Sequence, residues 1–315
     1  MLDRAVMERP KKEPLSLRVK IAEDQGPRPT MEDAHFMQKL DSGNVLTGVF
    51  DGHGGYQISE YANNRFPALF SFYLQENGGN VRKAFEDTMV EIDREIPEGG
   101  CYDRMGTTAV VSYIDQTTHL IYTATLGDSE ANIYRKDAEG NLKSIPLSCV
   151  RDFGSKKDRQ RLETAWGSDI VAACFERARG REGTKSVRSY LSHGVNVARA
   201  IGDRCVASRG DVQIISRKPK ITVNQLMKGD VLVNACDGLK DYASEGTIVK
   251  TLSDQYDDLS KMGILDIFLS WVLWIFTLGC YGNTVSPAEK LVSLAKEEMG
   301  SEAGDNITIS LIEVS

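Results

Sequence analysis

The sequence predicts a mixed α/β or α+β sandwich. Short apolar runs that are typical of strands are interleaved with longer helical patterns, but the two do not alternate strictly. A doubly wound parallel sheet would require that alternation, so we expect a sandwich instead. With 315 residues and 41% hydrophobic content, the chain can bury a large core.

The predicted elements follow from local composition. The predicted strands are rich in β-branched and apolar residues and cover Val45–Phe50, Thr107–Tyr113, Leu120–Thr125, Ala131–Tyr134, Val231–Ala235 and Ile307–Val314. The predicted helices cover Gln57–Leu74, Val81–Ile96, Ser244–Asp254 and Ser286–Met299. The last of these begins with Ser286 as N-cap, followed by proline at the first helical position and Glu289 at the third.

Charge and cysteine content exclude several functional classes. The net charge is −7 and the basic residues are scattered, so nucleic acid is not expected as a partner. The six cysteines form no CxxC pair, which fits reduced thiols in a cytosolic protein better than disulfides or a zinc site. Residues 1–15 form an N-terminal extension without the apolar stretch of a signal peptide. We therefore expect a cytoplasmic location.

Carboxylates recur at predicted strand ends and turns. The segment Asp51-Gly52-His53 directly follows the strand Val45–Phe50, and a single Asp beside Gly in such a place is most often a turn residue. Several together suit Mg²⁺ or Mn²⁺, because these hard cations take oxygen ligands from separated strands. The further acids in such settings are Glu32, Asp33, Asp128, Asp237, Asp241 and Asp305.

Seven motifs in order carry a specific family resemblance. They are Arg28–Asp33, Val49–Gly55, Gly106–Ala109, Gly127–Ser129, Ala198–Asp203, Ala235–Asp241 and Gly304–Asn306. From about Val19 to Val314 the chain resembles the metal-dependent serine/threonine protein phosphatases of the type-2C (PPM) family. The resemblance implies a phosphatase domain over residues 16–315. It also implies a four-layer α-β-β-α sandwich, with two central antiparallel sheets flanked by helices and a dinuclear metal site at one end.

The resemblance also assigns roles to the residues that match the family's motifs. Asp51 matches the carboxylate that bridges two metal ions, and Gly52 matches the residue whose carbonyl binds one of them. The remaining matches to metal ligands are Asp237 and Asp305 at the first ion, Glu32 and Asp33 at the second, and Asp128 and Asp241, with Asp237, at a weaker third site. Arg28 matches the phosphate-binding guanidinium, and His53 matches the general acid.

These roles are chemically consistent with hydrolysis of phosphoserine and phosphothreonine in proteins. Two Mg²⁺ or Mn²⁺ ions lower the pKa of a shared water and direct it at phosphorus, so no covalent intermediate is needed. Arg28 can hold two phosphoryl oxygens in a fork, and protonated His53 can neutralise the departing alkoxide. The other histidines, His35, His119 and His193, lie outside the motifs and are expected to be structural or surface residues.

Two other functions remain open. One is a catalytically silent module of the same fold that binds a phosphoprotein. The other is a hydrolase of a different phosphoester, such as a nuclease or a small-molecule phosphatase, although the acidic balance disfavours the nuclease.

Two parts of the chain depart from the family's pattern, one in the charge of a residue and one in the size of a residue. Glu130 stands where the family usually has arginine, which puts local salt bridging in doubt. Residues 151–190 form a polar, flap-like excursion, and within it Arg151–Gly167 only loosely resembles the family's stretch that leads into its flap, with Trp166 in place of a small residue.

The largest departure is the apolar insertion at residues 263–282, which contains one charge, Asp266, and nearly reaches the length of a membrane span. A single crossing would place Asp237 and Asp305 on opposite sides of a bilayer, so we expect no transmembrane span. Three interpretations remain for the insertion. It could pack as a buried or lid helix, dock a partner or a second copy, or contact a membrane surface peripherally.

Overall fold

The computed structural model describes residues 13–149, 155–168, 197–209, 212–261, 285–300 and 304–315. The apolar insertion at 263–282 lies outside these residues, as do most of the N-terminal extension and much of the 151–190 excursion. The structural results below concern the described residues.

Two five-stranded antiparallel sheets form the centre of the molecule. The first has the order β1 (Leu17–Asp24), β15 (Ile307–Val314), β14 (Val231–Ala235), β8 (Glu130–Lys136), β9 (Leu142–Pro146). The second has the order β13 (Lys220–Gln225), β7 (Leu120–Leu126), β6 (Ala109–Asp115), β3 (Val45–Phe50), β2 (Ala34–Lys39).

Short strands and helices complete the described elements. A small three-stranded sheet has the order β10 (Ile201–Gly202), β5 (Gly106–Thr107), β4 (Gly52–His53), and a two-stranded one joins β11 (Ser208–Arg209) to β12 (Val212–Gln213). The helices are α1 (Gln57–Glu76), α2 (Val81–Glu95), a 3₁₀ turn (Gly100–Arg104), α3 (Lys156–Trp166), α4 (Arg204–Ala207), α5 (Asp237–Lys240), α6 (Glu245–Lys261) and α7 (Pro287–Met299).

Three hydrophobic cores arrange these elements in four layers, as the family resemblance implied. The core between the two sheets includes Val49 of β3 and Ile312 of β15. On the outer face of the second sheet, α1 and α2 bury an aromatic cluster around Phe66. On the outer face of the first sheet, α6 and α7 pack through residues such as Ile248 and Leu291.

Strand β3 shows why a continuous apolar run forms a central strand here. All six of its residues are buried. Leu46 and Phe50 pack in the core shared with α1 and α2, whereas Val45 and Val49 pack between the sheets. Because alternate side chains point to opposite faces, a strand that is covered on both sides is mostly apolar, and the one polar side chain of β3, Thr47, is hydrogen-bonded to Ser310.

The predicted strands at Val45–Phe50, Val231–Ala235 and Ile307–Val314 are confirmed with their bounds. Three of the four predicted helices are confirmed to within two residues at their ends, whereas the helix predicted over Ser244–Asp254 continues to Lys261. Among the described strands and α-helices of five or more residues, five were not predicted, namely β1, β2, β9, β13 and α3. The four strands among them are the outermost strands of the two sheets, and most of their residues are half-buried or exposed. Among the helices of the described residues, none has the length and apolar character needed to cross a membrane.

Candidate metal centre and its neighbouring histidine

The topology brings the predicted acids of the second sheet to one end. Strands β3 and β7 both run antiparallel to β6, so their C-terminal ends lie at the same edge. Asp51 follows β3, and Asp128 follows β7 after one glycine. Strand β2 begins at that edge too, with Ala34 opposite Phe50, so Asp33 lies beside Asp51.

The first sheet contributes two more carboxylates to this end of the sandwich. Strand β14 ends where its antiparallel neighbour β15 begins, with Ala235 opposite Ile309. Asp237 therefore follows β14 on the side from which Asp305 leads into β15. The sheets also meet through a hydrogen bond between the hydroxyls of Thr47 and Ser310, 2.9 Å apart, which fixes their relative position.

Electrostatic repulsion shows that these carboxylates are close together. Burial raises the pKa of Asp51 well above its usual range, and the negative charges of Asp237, Asp33, Asp128 and Asp305 add to that shift. Burial likewise raises the pKa of Asp237 to about 8, with contributions from Asp128, Asp305 and the exposed Asp241. A cluster of this kind favours a bound cation, because a positive charge would relieve the repulsion.

Asp33 is the member of the cluster whose carboxylate lacks partners. Both of its carboxylate oxygens are buried and lack a hydrogen bond of normal geometry. Burial raises the pKa of Asp33 to about 6, while the nearby side chains of Thr308 and Cys236 oppose the shift only partly. A buried carboxylate without a partner is destabilising unless a ligand completes it.

Asn306 holds the acidic loop that contains Arg28 and Glu32. Its side-chain oxygen accepts a hydrogen bond from the backbone N–H of Glu32 at 2.8 Å. Its amide nitrogen donates to the carbonyls of Gln25 at 2.8 Å and Thr30 at 3.1 Å. Sequence reasoning gave Asn306 no role of its own, although the residue lies within one of the quoted motifs.

Gly52 allows the chain to pass close to this loop. A Cβ at this position would lie 2.2 Å from the carbonyl oxygen of Glu32 and 2.7 Å from the hydroxyl of Ser59. Any other residue would push the two segments apart, so glycine is required for their close approach.

Arg28 reaches the cluster from its exposed side. Its Nη2 donates to a carboxylate oxygen of Asp305 at 2.8 Å, and its Nε donates to the carbonyl of Gly304 at 2.7 Å. About half of the side chain, 49%, is exposed. The guanidinium therefore lies next to the predicted ligands and is also accessible from solvent.

His53 pairs with a residue to which sequence reasoning gave no role, Asp203. His53 Nε2 lies 2.9 and 2.8 Å from the two carboxylate oxygens. Burial lowers the pKa of His53, but the charge and hydrogen bond of Asp203 more than offset this, so its pKa is raised. The only available signal was that Asp203 follows glycine in the motif Ala198–Asp203.

The charge reversal at Glu130 is balanced within the structure. Lys240 Nζ lies 3.1 Å from the carboxylates of both Glu130 and Glu245. Glu130 therefore takes part in a local salt bridge in this chain. Lys240 directly precedes Asp241, which lies at the margin of the acidic cluster.

The other described histidines contact groups that are not among the predicted metal ligands. His35 on β2 approaches Glu23, with 3.2 Å between Nδ1 and the carboxylate. His119 lies in the turn between β6 and β7, with its Nε2 2.8 Å from the carbonyl oxygen of Glu13. Both fit the predicted structural or surface roles, while His193 and the segment around it lie outside the described residues.

The donor set fits a hard divalent cation. The carboxylates supply oxygen only, Asp33 has two buried oxygens without partners, and the repulsion among the acids calls for positive charge. Across the described ranges, no three His, Cys, Asp or Glu side chains are already arranged to hold a metal ion. The ligand roles of the individual acids therefore remain predictions.

Comparisons with known proteins agree with this fold. The family model described as "Protein phosphatase 2C" matches residues 17–264. Bovine "Protein phosphatase 1L" is 27% identical over 289 residues, which cover 87% of this chain and 72% of the relative. "Probable protein phosphatase 2C 11" of Arabidopsis thaliana is 30% identical over 240 residues, which cover 74% of this chain and 57% of that protein.

A solved structure gives the same result for the architecture. The crystal structure of "serine-threonine phosphatase 2C from Toxoplasma gondii" matches with a TM-score of 0.67 at 17% identity and covers 97% of both chains. That similarity shows the fold, and the family model shows the family. The chain belongs to the protein phosphatase 2C family of serine/threonine protein phosphatases.

Proposed function

We propose that this chain hydrolyses phosphoserine and phosphothreonine in proteins, with Mg²⁺ or Mn²⁺ bound in the acidic cluster and without a covalent intermediate. The observation that carries the proposal is the convergence of carboxylates from both sheets at one end of the sandwich. Family membership supplies the reaction class, and the described residues supply groups suited to each part of it.

The residues that would hold the cations lie in two groups. Asp51, the carbonyl of Gly52, Asp237 and Asp305 would hold the first ion, with Asp51 bridging to the second. Glu32 and Asp33 would hold the second. Asp128 and Asp241 would form, with Asp237, a weaker third site. Bound there, the cations would lower the pKa of water and neutralise charge on the phosphoryl group.

Arg28 is suited to bind the phosphoryl group of the substrate. Its guanidinium has planar donors for two oxygens, which lysine does not. Because the side chain is half exposed beside Asp305, a phosphoryl group arriving from solvent could replace one of its present contacts.

His53 is suited to protonate the leaving serine or threonine oxygen. Its side chain is 30% exposed, and Asp203 favours its protonated form. Proton donation to a poor leaving group of this kind contributes about 10²–10⁴-fold to a rate.

The proposed partners are phosphorylated proteins, and the proposed location is the cytoplasm. Docking of a partner, or peripheral membrane contact, through residues 263–282 stays a prediction, because that segment lies outside the described residues. The net charge of −7 gives no support for a nucleic-acid partner.

Release of phosphate from a phosphothreonine peptide tests the proposal. We expect the full chain to release phosphate with Mn²⁺, to lose activity in EDTA, and to lose it by at least about 10³-fold in Asp51→Asn. Binding of the peptide without hydrolysis would support the silent module. Metal-dependent hydrolysis of a diester or a small phosphate ester, with no action on the peptide, would support the other hydrolase.

A further inference from the structure

We propose that Asp203 positions the ring of His53 so that Nδ1, and not Nε2, is the nitrogen that protonates the leaving oxygen. This inference rests on the proposed phosphatase function, which it deepens. The juxtaposition that carries it is a buried carboxylate clamped on one nitrogen of the histidine, while the other nitrogen remains for the substrate.

The contacts of His53 distinguish its two nitrogens. Nε2 lies 2.9 and 2.8 Å from the two oxygens of Asp203, and a carboxylate can only accept. Nε2 therefore carries a hydrogen that is directed at Asp203. Within the described part of the chain both hydrogen bonds of this ring use Nε2, so Nδ1 is left for another group.

Asp203 is held in place by its backbone. Its side chain is fully buried, and its φ of +53° lies in the left-handed region that residues other than glycine rarely adopt. The N–H of Asp203 donates to the carbonyl of Met105 at 2.8 Å, which fixes this conformation. Left-handed strain in a residue other than glycine is often found where the side chain has a functional position.

The three-stranded ribbon of β4, β5 and β10 leaves space for this pair at Gly106. In its register Gly106 lies opposite both His53 and Gly202. A Cβ on Gly106 would lie 2.3 Å from Oδ2 of Asp203 and 2.6 Å from Nε2 of His53. The contact between His53 and Asp203 therefore depends on the absence of a side chain at residue 106.

In the proposed step, the proton on Nδ1 of His53 is transferred to the leaving oxygen of the substrate. As the attacking water forms its bond to phosphorus, the bond between phosphorus and the serine or threonine oxygen breaks and leaves its electron pair on that oxygen. The proton on Nδ1 moves to the oxygen, so the alcohol leaves neutral and the electrons of the N–H bond stay on the ring. The water loses one proton to solvent, and His53 takes one back.

Dependence on the leaving group tests the inference. The p-nitrophenolate ion is stable enough to leave without a proton, whereas the threonine alkoxide must be protonated as it leaves. We expect Asp203→Asn to lower kcat about 10²-fold on a phosphothreonine peptide but less than about threefold on p-nitrophenyl phosphate, with KM little changed. Equal losses on both substrates would overturn the inference.

Two variants separate positioning from folding. Asp230→Asn removes another fully buried carboxylate, which lies away from the site and is 2.7 Å from Nε of Arg135. This control variant should show no dependence on the leaving group. Combining Asp203→Asn with His53→Ala should cost no more than His53→Ala alone, because the two residues act as one unit. If Asp203→Asn fails to fold, Gly106→Ala should show the same selective loss.

Nitrogen NMR of the metal-free full chain gives a readout that does not depend on activity. With four histidines in the chain, His53 can be assigned by comparison with His53→Ala. We expect a hydrogen on Nε2 that exchanges slowly in the wild type, altered in Asp203→Asn and unchanged in Asp230→Asn. An Nε2 without hydrogen would refute the positioning role. A chain inactive on both substrates would instead refute the proposed function.

Discussion

Asp33 shows at the scale of one residue how this site trades stability for binding. Its carboxylate is buried with no hydrogen bond of normal geometry to either oxygen, and burial raises its pKa. Asp230 is buried as a whole residue, and Nε and Nη2 of Arg135 each donate a hydrogen bond to its carboxylate at 2.7 Å. The carboxylate of Asp230 therefore has a charged partner within the protein, whereas the buried carboxylate oxygens of Asp33 do not.

We therefore expect opposite effects when each of these aspartates is replaced by asparagine. Asp33→Asn should stabilise the metal-free protein by about 1–2 kcal/mol, because it removes a buried charge that has no partner. Asp230→Asn should destabilise it by about 1–3 kcal/mol, because it weakens a buried ion pair. Urea unfolding in EDTA measures both, and a loss of stability in Asp33→Asn would contradict the interpretation of this residue.

At the scale of single elements, the buried strands were predicted best. β3, β14 and β15 were found with their bounds, because a strand covered on both faces reads as one apolar run. The half-exposed strands β1 and β2 were missed, since their mixed burial leaves no such signal. The acids at the strand ends were identified, but the pairing of His53 with Asp203 was not, since 150 residues separate them.

The start of α7 was also predicted from local sequence. Ser286 accepts a hydrogen bond from the N–H of Glu289, and the carboxylate of Glu289 accepts one from the N–H of Ser286 at 2.7 Å. Both halves of the predicted capping box are therefore present.

Removal of this cap should destabilise the fold measurably. We expect Ser286→Ala to lower the free energy of unfolding by about 1 kcal/mol, because the N–H of Glu289 in the first turn of α7 loses its acceptor. Glu297→Ala, an exposed change near the end of the same helix, should alter it by less than about 0.5 kcal/mol. Chemical denaturation measures both variants, and equal effects would show that the cap contributes little.

At the scale of the whole molecule, the packing of two sheets concentrates negative charge at one end. Asp51, Asp128 and Asp33 come from one sheet, and Asp237 and Asp305 come from the other. Either sheet alone would leave its carboxylates facing solvent. The topology therefore creates the raised pKa values, and sequence spacing alone could not show them.

This concentration of charge predicts a link between pH, metal and stability. Burial and neighbouring acids raise the pKa of Asp237 to about 8, whereas in the unfolded chain it is about 3.9. The folded state thus retains a proton that the unfolded state loses, and the stability this confers below about pH 4 is lost as pH rises towards 8.

We expect the Tm of the metal-free protein to fall between pH 5 and pH 8. Mg²⁺ or Mn²⁺ should raise Tm more at pH 8 than at pH 5, because cations compete with protons for the same carboxylates. The variant Asp237→Asn should flatten both trends. A metal-induced rise in Tm that is the same at the two pH values would contradict the proposed ligand cluster.

Anomalous diffraction from crystals grown with Mn²⁺ tests the central claim most directly, since it locates the ions without reference to activity. We predict two strong peaks on either side of the Asp51 carboxylate, the first also contacting Asp237 and Asp305 and the second on the side of Glu32 and Asp33. No peak at Asp51, in crystals of a chain that is active with Mn²⁺, would contradict the proposed metal centre.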